Sequence, residues 1–423
     1  VSGAADTRRP RFTVYRMGGR RPLPVQDLAA APGAQAGSWG GRIHSKPALP
    51  GTYVIVARIR DAVGNVGTSF PFARRRAGEP PGGAGVTVRY LAGEAPLQAV
   101  AAGRPATVFV DSRRARYAWR LHRLGSARTL SHGHSRRPVL RPPTPRAPSG
   151  VYVLELSAGA RRASIPIAVN GRGRQSVLLI LPLVTWQGYN PVDDDGDGVP
   201  DTLGTTGHAR IARPFAGDGQ PPTFATQESP LLRLLDRPRQ RYDIQTDYGV
   251  ASASRDFLDA YRGVVIAGDE RWIEPRLAAR LRRYVHGGGR VFSLGTDSLR
   301  RKVRLSRGTL VSATGDSSFD IFGTGLRAAA AKGDLLAGQD SIGLFVGTDG
   351  QLSGFTRLEE TASPGTGAKI VSAAQTADGK PVIVAERIDR GLVIRTGLPE
   401  WEQRLGDADV ATVTRRVWKL LSR

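Results

Sequence analysis

The stretch that decides the fold runs from 263 to 294 and reads GVVIAGDERWIEPRLAARLRRYVHGGGRVFSL. Its first five residues are typical of a buried strand, and Pro275 to His286 place leucine and valine on one face of a helix. Gly287 to Gly289 end this helix, and Val291 to Leu294 follow as a second strand. Strand, helix, strand order predicts a parallel sheet covered by helices, with ligand groups at the carboxyl ends of its strands.

The pattern changes on the amino-terminal side of residue 172. Short alternating segments joined by turns predict β-sandwiches there, and GTYVIVARIRDAVGNVG (51–67) resembles the last hairpin of bacterial immunoglobulin-like domains. We therefore predict an immunoglobulin-like β module at 1–80, a second immunoglobulin-like β-sandwich at 84–171, and an α/β unit at 175–423. The predicted fold class is two all-β sandwiches followed by an α/β domain with a flavodoxin-like parallel sheet.

The charge of the chain lies mostly in its first part. Lys and Arg number 61 against 37 Asp and Glu, a formal net charge of +24, and residues 1–172 account for +21 of it. Because 55 of the basic residues are arginine and no nucleic-acid motif surrounds them, an anionic cell-surface polymer is favoured as partner over nucleic acid. We expect a bacterial extracytoplasmic location, either secreted or on the cell surface.

Two kinds of site and a membrane span are excluded by composition. The chain has no cysteine, so a disulfide scaffold and a thiolate zinc site cannot form. Its longest apolar runs fall far short of the 18 or so residues that a membrane helix needs, so no membrane span is predicted.

One short motif predicts a cation site. The segment DDDGDGVPD (193–201) places carboxylates at loop positions 1, 3, 5 and 9 and glycine at position 6, the pattern of a calcium loop. The candidate Ca²⁺ ligands are Asp193, Asp195, Asp197, the Val199 carbonyl and Asp201. The final bidentate glutamate of an EF-hand is absent, and a solvated acidic turn is the alternative interpretation.

A family resemblance rests on several motifs in order. SVLLILPLVTWQGYN, RIARPFAGDG, ESPLLRLLDR, YRGVVIAGDERW and LRRYVHGGGRVFSLGTDSLRR together resemble the C-terminal domain of the N,N-dimethylformamidase large (beta) subunit and its relatives. The resemblance covers about residues 175–423. It implies a glutamine-amidotransferase-like α/β fold and a mononuclear iron centre that hydrolyses a small amide.

The resemblance also implies site residues. Tyr189 and Glu270 are the positions that match its iron ligands, Glu270, Asp269 and Arg271 form the candidate catalytic group, and Trp186 and Trp272 are candidate substrate-binding residues. Two positions depart from the family pattern, since Gly268 replaces a histidine and Arg271 a tyrosine. The alternative is that the aromatic residues pack between sheet and loops while Glu270 pairs with an arginine.

Two functions follow from these observations. The first is a divergent metal-dependent hydrolase of small amide C–N bonds. The second is a non-catalytic secreted or cell-surface binding protein with a structural calcium site and a degenerate enzyme fold, whose ligand is a small molecule or a polysaccharide.

Overall fold

The computed structural model describes residues 10–17, 22–28, 38–61, 63–69, 85–146, 148–236, 240–313 and 318–423. Strands make up 40% and helices 15% of these residues. The predicted boundary between residues 80 and 84 lies outside the described residues. No helix in the described ranges combines the length and the apolar character needed to cross a membrane.

The amino-terminal part is built from antiparallel strands. Its described strands are β1 (Arg11–Arg16), β2 (Leu23–Leu28), β3 (Arg42–Ile43), β4 (Lys46–Pro47), β5 (Gly51–Arg60), β6 (Val66–Thr68) and β7 (Val86–Val88). Strand β5 is central and pairs with β1, β6 and β7, while β2 pairs with the far edge of β1 and β3 pairs with β4. Buried Val14 and Tyr53 anchor the small core of this sheet.

Two facing sheets follow. Their strands are β8 (Ala92–Glu94), β9 (Val100–Ala101), β10 (Val108–Asp111), β11 (Tyr117–Arg123), β12 (Thr129–Ser135), β13 (Val139–Leu140), β14 (Gly150–Ala158) and β15 (Arg161–Asn170). The sheet orders are β13-β10-β8 and β12-β11-β14-β15-β9. Val108 of the first sheet packs in one core cluster with Leu121 and Leu154 of the second, as alternating strands with one buried face require.

The remaining described residues form a nine-stranded sheet, a four-stranded sheet, a two-stranded sheet and five α-helices. The strands are β16 (Val177–Leu181), β17 (His208–Arg210), β18 (Asp243–Thr246), β19 (Gly263–Ile266), β20 (Trp272–Ile273), β21 (Arg290–Ser293), β22 (Arg301–Ser306), β23 (Thr309–Ser312), β24 (Gly325–Ala330), β25 (Leu335–Asp340), β26 (Gln351–Leu352), β27 (Arg357–Ser363), β28 (Lys369–Gln375), β29 (Pro381–Ile388) and β30 (Gly391–Arg395). The helices are α1 (Leu183–Tyr189), α2 (Glu228–Asp236), α3 (Asp247–Ser252), α4 (Pro275–His286) and α5 (Ala408–Ser422), with 3-10 turns at Phe257–Ala260 and Glu402–Arg404.

The nine-stranded sheet has the order β18-β16-β19-β21-β30-β29-β28-β25-β26. Odd-numbered apolar residues of β16, such as Leu179, pack on the side of α2 and α5. Its even-numbered residues, such as Leu178, pack on the side of α3 and α4. This alternation follows from the two-residue period of a strand, and it buries the central strands on both faces.

The predicted fold class is wrong. The five strands from β18 to β30 run parallel, but β29, β28, β25 and β26 extend the sheet antiparallel. Two further pairings, β22 with β23 and β24 with β27, are also antiparallel. With strands far outnumbering helices, the described chain has a mixed β-rich architecture and no clear flavodoxin-like parallel domain. The strand–helix–strand order at 263–294 does not continue along the chain. Beyond residue 300, tight turns fold much of the chain into antiparallel hairpins instead.

Candidate functional site

Two acidic residues meet at the carboxyl ends of the strands that flank β16. Asp247 follows β18 directly and begins α3, and Glu270 lies in the turn after β19. Their exposed fractions are 1% and 0%. Both line the same small cleft. Buried acids at this edge of a sheet are where ligand groups are expected in folds with parallel strands.

The two carboxyl groups differ in their hydrogen-bond partners. Asp247 accepts backbone N–H bonds from Val184 (2.8 Å) and Tyr248 (2.6 Å). The oxygens of Glu270 have no such donor among the described residues. Burial raises the pKa of Asp247 to about 7. Burial and the neighbouring charge of Asp247 raise the pKa of Glu270 well above its ordinary value.

The raised pKa values of both acids favour a pair that shares one proton over a pair of adjacent negative charges. The backbone donors stabilise the charged form of Asp247, so Asp247 is the carboxylate. Glu270 is therefore the member of the pair on which a proton is favoured, beside the Asp247 carboxylate. A carboxylate beside a carboxylic acid supplies a base and an acid at one place, which is the requirement for acid–base catalysis.

The wall of the cleft is apolar. Val184, Ile211, Leu277, Leu305 and Leu310 line it, with the two acids among them. Such a wall excludes water and strengthens electrostatic interactions at the acids.

The loop after β21 holds Glu270 in place. Its Ser298 hydroxyl accepts from the Glu270 N–H (3.2 Å), and the Leu299 N–H donates to the Glu270 carbonyl (2.7 Å). Two non-glycine residues of this loop, Asp297 (φ +57°) and Leu299 (φ +61°), adopt the left-handed conformation. Strained backbone of this kind clusters at functional sites, so the loop marks the same edge of the sheet.

The predicted catalytic neighbours Asp269 and Arg271 are both engaged with protein groups. Asp269 accepts the Thr296 N–H (3.0 Å), and burial raises its pKa. Arg271 donates to the Tyr189 hydroxyl (2.8 Å) and pairs with Asp297 (3.1 Å). The guanidinium thus joins Tyr189 to the strained loop.

The predicted substrate-binding tryptophans are buried. Trp186 packs edge-on against Phe215 and Phe224, and its indole N–H donates to Glu228 (3.1 Å). Trp272 packs edge-on against Tyr189 with ring centroids 4.8 Å apart. Their indole rings therefore make protein contacts at the rim of the acidic pair.

The iron centre implied by the resemblance does not fit this arrangement. Burial raises the pKa of the Tyr189 hydroxyl by more than the neighbouring Arg271 guanidinium lowers it, which opposes the phenolate that iron needs. The Tyr189 oxygen already accepts a hydrogen bond from Arg271.

The acidic loop at 193–201 contains two groups of ligand atoms that could hold a metal ion. Asp193, Asp195 and Asp197 form one group, and Asp195, Asp201 and His208 form the other. Burial raises the pKa of both Asp193 and Asp201. The Val199 N–H donates to Asp197 (2.7 Å), so Val199 lies in the same turn.

Three site residues were missed by the sequence analysis. They are Asp247, Glu228 and Glu402, which are 1%, 0% and 1% exposed. Asp247 could have been found, because it directly follows the buried strand DIQT at the edge where ligand groups gather. Glu402 carries no such signal, since it reaches the site from a 3-10 turn far along the chain.

Comparison with solved structures gives weak likenesses. A cold-adapted β-galactosidase from Rahnella sp. R3 is 16% identical over 45% of this chain and 26% of that one (TM-score 0.32). An exo-β-1,4-mannosidase from an Opitutaceae bacterium is 12% identical over 59% of this chain and 36% of that one (TM-score 0.34). A cytoplasmic protein of Salmonella typhimurium is 12% identical over 59% of this chain and 99% of that one (TM-score 0.33). The chain thus spans about a quarter to a third of the two glycosidases, and these scores carry no functional argument.

The comparison with protein families is more specific. No curated protein matches the chain. The model of the family described as N,N-dimethylformamidase beta subunit-like, C-terminal, matches residues 139–316, a segment that contains Tyr189, Asp247 and Glu270. The resemblance seen in the sequence motifs is thereby confirmed over residues 139–316, which match the model of that family.

Proposed function

We propose that this protein hydrolyses the C–N bond of small amides at the Asp247–Glu270 pair. The observation that carries the proposal is a pair of buried acids, Asp247 and Glu270, that line one largely apolar cleft. The family segment surrounds this pair and carries the name of an amidase. The apolar wall favours amides with short alkyl substituents.

The reaction uses the two protonation states of the pair. The Asp247 carboxylate removes a proton from water, and the water oxygen forms a bond to the amide carbon. Glu270 donates its proton to the amide nitrogen as the C–N bond breaks, which yields a carboxylic acid and an amine. The proton on Asp247 then returns to Glu270, so that the pair is restored.

A panel of small amides tests the proposal. Formamide, acetamide and their N-alkyl forms are incubated with the protein, and proton NMR follows both products. We expect amine and carboxylic acid to appear in equal amounts, faster for N-alkyl amides. Product formation no faster than in protein-free buffer, for every amide, would overturn the proposal.

We also propose that the 193–201 loop binds calcium in a structural role. Its support is the spacing of the aspartates and their convergence on common points. The loop lies against the amino-terminal sheet, because the Gly85 N–H donates to the Gly196 carbonyl (2.8 Å) and Gly198 lies beside Val54. A cation here would therefore fasten the first sheet to the larger part of the molecule.

The second candidate function is binding at an anionic surface outside the cell. It is favoured by exposed arginines of the amino-terminal part, such as Arg104, Arg114 and Arg128. Retention on dextran sulfate that falls steeply with added salt supports it. Elution at low salt would remove the support for an anionic polymer as partner and for the extracytoplasmic location proposed with it.

A further inference from the structure

A second group of buried polar atoms lies beside the acidic pair. Glu228 begins α2, and this helix packs against the 402–404 turn that carries Glu402. The exposed fractions of Glu228, Glu402 and Gln227 are 0%, 1% and 7%. These side chains converge on the Gly268 turn from two distant parts of the chain.

The group presents acceptors without donors. In the described structure, Glu228 Oε2, both carboxylate oxygens of Glu402 and the amide oxygen of Gln227 lack a hydrogen-bond partner. None of the charged pairs found between described residues involves Glu228, Glu402 or Asp269. Buried acceptors of this kind are almost always satisfied, so the missing partner is a group that donates several hydrogen bonds.

Gln227 shows that the acceptors are aimed at a common place. Its amide N–H group faces the Asp269 carboxylate, which turns the amide oxygen towards Gly268. A Cβ at Gly268 would lie 3.3 Å from this oxygen and would overlap Glu228 Oε1. Gly268 has φ of +63°, a conformation that glycine adopts without cost. The lack of a side chain here lets both acceptors reach the same turn.

The spacing of the acids selects the kind of cation. The described groups of three His, Asp or Glu ligand atoms within 4.8 Å of one another all lie between 193 and 208, so Glu228, Asp269 and Glu402 do not form one. A metal ion at about 2.0–2.6 Å from each oxygen requires that closeness. An N–H donor lies about 2.7–3.0 Å from its acceptor, so an ammonium group fits more widely spaced oxygens.

We propose that Glu228, Glu402 and Gln227, with Asp269 on the partly exposed side, bind a small primary ammonium cation. The N–H groups of the cation satisfy the unpartnered oxygens, and its positive charge takes the place of the proton that burial keeps on Glu228 in the free protein. Asp269 is the member of the group that solvent reaches, so it marks the entrance. The amine released by amide hydrolysis belongs to this ligand class, and that link alone rests on the proposed function.

Binding is measured without any amide present. The protein is titrated with methylammonium chloride in a calorimeter, beside tetramethylammonium chloride and sodium chloride at equal ionic strength. Methylammonium has three N–H donors, whereas tetramethylammonium has the charge alone. We expect saturable binding of methylammonium at one site per chain and none of tetramethylammonium. Equal responses to the two cations, or no response, would overturn the proposal.

Variants locate the site. Glu402→Gln keeps the shape of the side chain and removes one acceptor charge, so we expect methylammonium to bind at least tenfold more weakly. Glu94→Gln, at a partly buried acid on β8, is the matched control and should bind as the wild type does. If Glu402→Gln does not fold, Asp269→Asn at the entrance takes its place. Unchanged affinity in the folded variant contradicts the assignment, whether or not the protein cleaves amides.

Discussion

Asp247 and Glu270 face each other as a buried acid pair in which only Asp247 receives backbone N–H donors. The donors come from Val184 and Tyr248, at the starts of α1 and α3. This asymmetry decides which residue holds the charge and which the proton. It also sets the direction in which the rate of amide cleavage should change as the pH rises.

The first prediction concerns the pH dependence of amide cleavage. Burial raises the pKa of Asp247 to about 7, and burial together with the charge of Asp247 raises the pKa of Glu270 well above its ordinary value. The rate should rise as Asp247 ionises near pH 7 and fall again when Glu270 loses its proton, because the reaction needs one proton on the pair. kcat/KM measured across this range should be bell-shaped. A flat profile would rule out the shared proton.

The second prediction concerns stability and Glu228. Burial raises the pKa of Glu228 to about 8, against about 4.3 in an unfolded chain. Between these values the folded state keeps a proton that the unfolded state has released, so the free energy of unfolding falls as pH rises, by about 1.4 kcal/mol per pH unit. Glu228→Gln should lose stability less steeply across this window.

Urea unfolding at several pH values checks the second prediction. Glu155→Gln is the control, because pairing with Arg120 lowers the pKa of Glu155, and its contribution to stability has the opposite sign. Parallel pH curves for Glu228→Gln and the wild type would show that Glu228 does not hold a proton in the folded state.

The third prediction separates the acid pair from an iron centre. Tyr189 serves as the hydrogen-bond partner of Arg271, so Tyr189→Phe should cost about 1 kcal/mol of stability. We expect its rate of amide cleavage to stay within about threefold of the wild type, since no transition-state contact is lost. Elemental analysis of both proteins accompanies the rate. Stoichiometric iron that disappears with the activity in Tyr189→Phe would contradict the account.

The fourth prediction concerns the calcium loop. Calcium at a hundredfold excess over its Kd should raise the free energy of unfolding by about 2.7 kcal/mol. The melting temperature should therefore fall on addition of EGTA. Asp195→Ala should abolish this response, because Asp195 belongs to both groups of ligand atoms. A melting temperature that EGTA leaves unchanged would contradict the proposed calcium site.

The local part of the fold could be predicted from sequence. The helix expected at Pro275–His286 and the strand from 291 agree with α4 and β21, because a 3.6-residue apolar period and a glycine stop are local signals. The pairing of β25 with β28 could not, since these strands are far apart in sequence and meet only in the folded sheet. Extrapolating from the parallel strands produced the wrong fold class.

The candidate site was predictable to a similar extent. Glu270 came from its motif, and Asp269 and Arg271 were found with it, but their partners are set by loops whose geometry no pattern reveals. Asp297 illustrates this, since its left-handed conformation and its contact with Arg271 arise only in the folded loop. Glu402 reaches the candidate site because its 3-10 turn packs against α2. This packing depends on the fold of the whole sheet.

The most direct test of the central claim is the rate of amine release by Glu270→Gln in the presence of an iron chelator, beside wild type and Glu94→Gln. The substituted amide side chain keeps the shape of the acid and lacks its acidic proton. The account predicts a rate at least about 100-fold below the other two proteins, which should cleave amides at equal rates despite the chelator. Equal rates for all three proteins, or loss of the wild-type activity with the chelator, would contradict it.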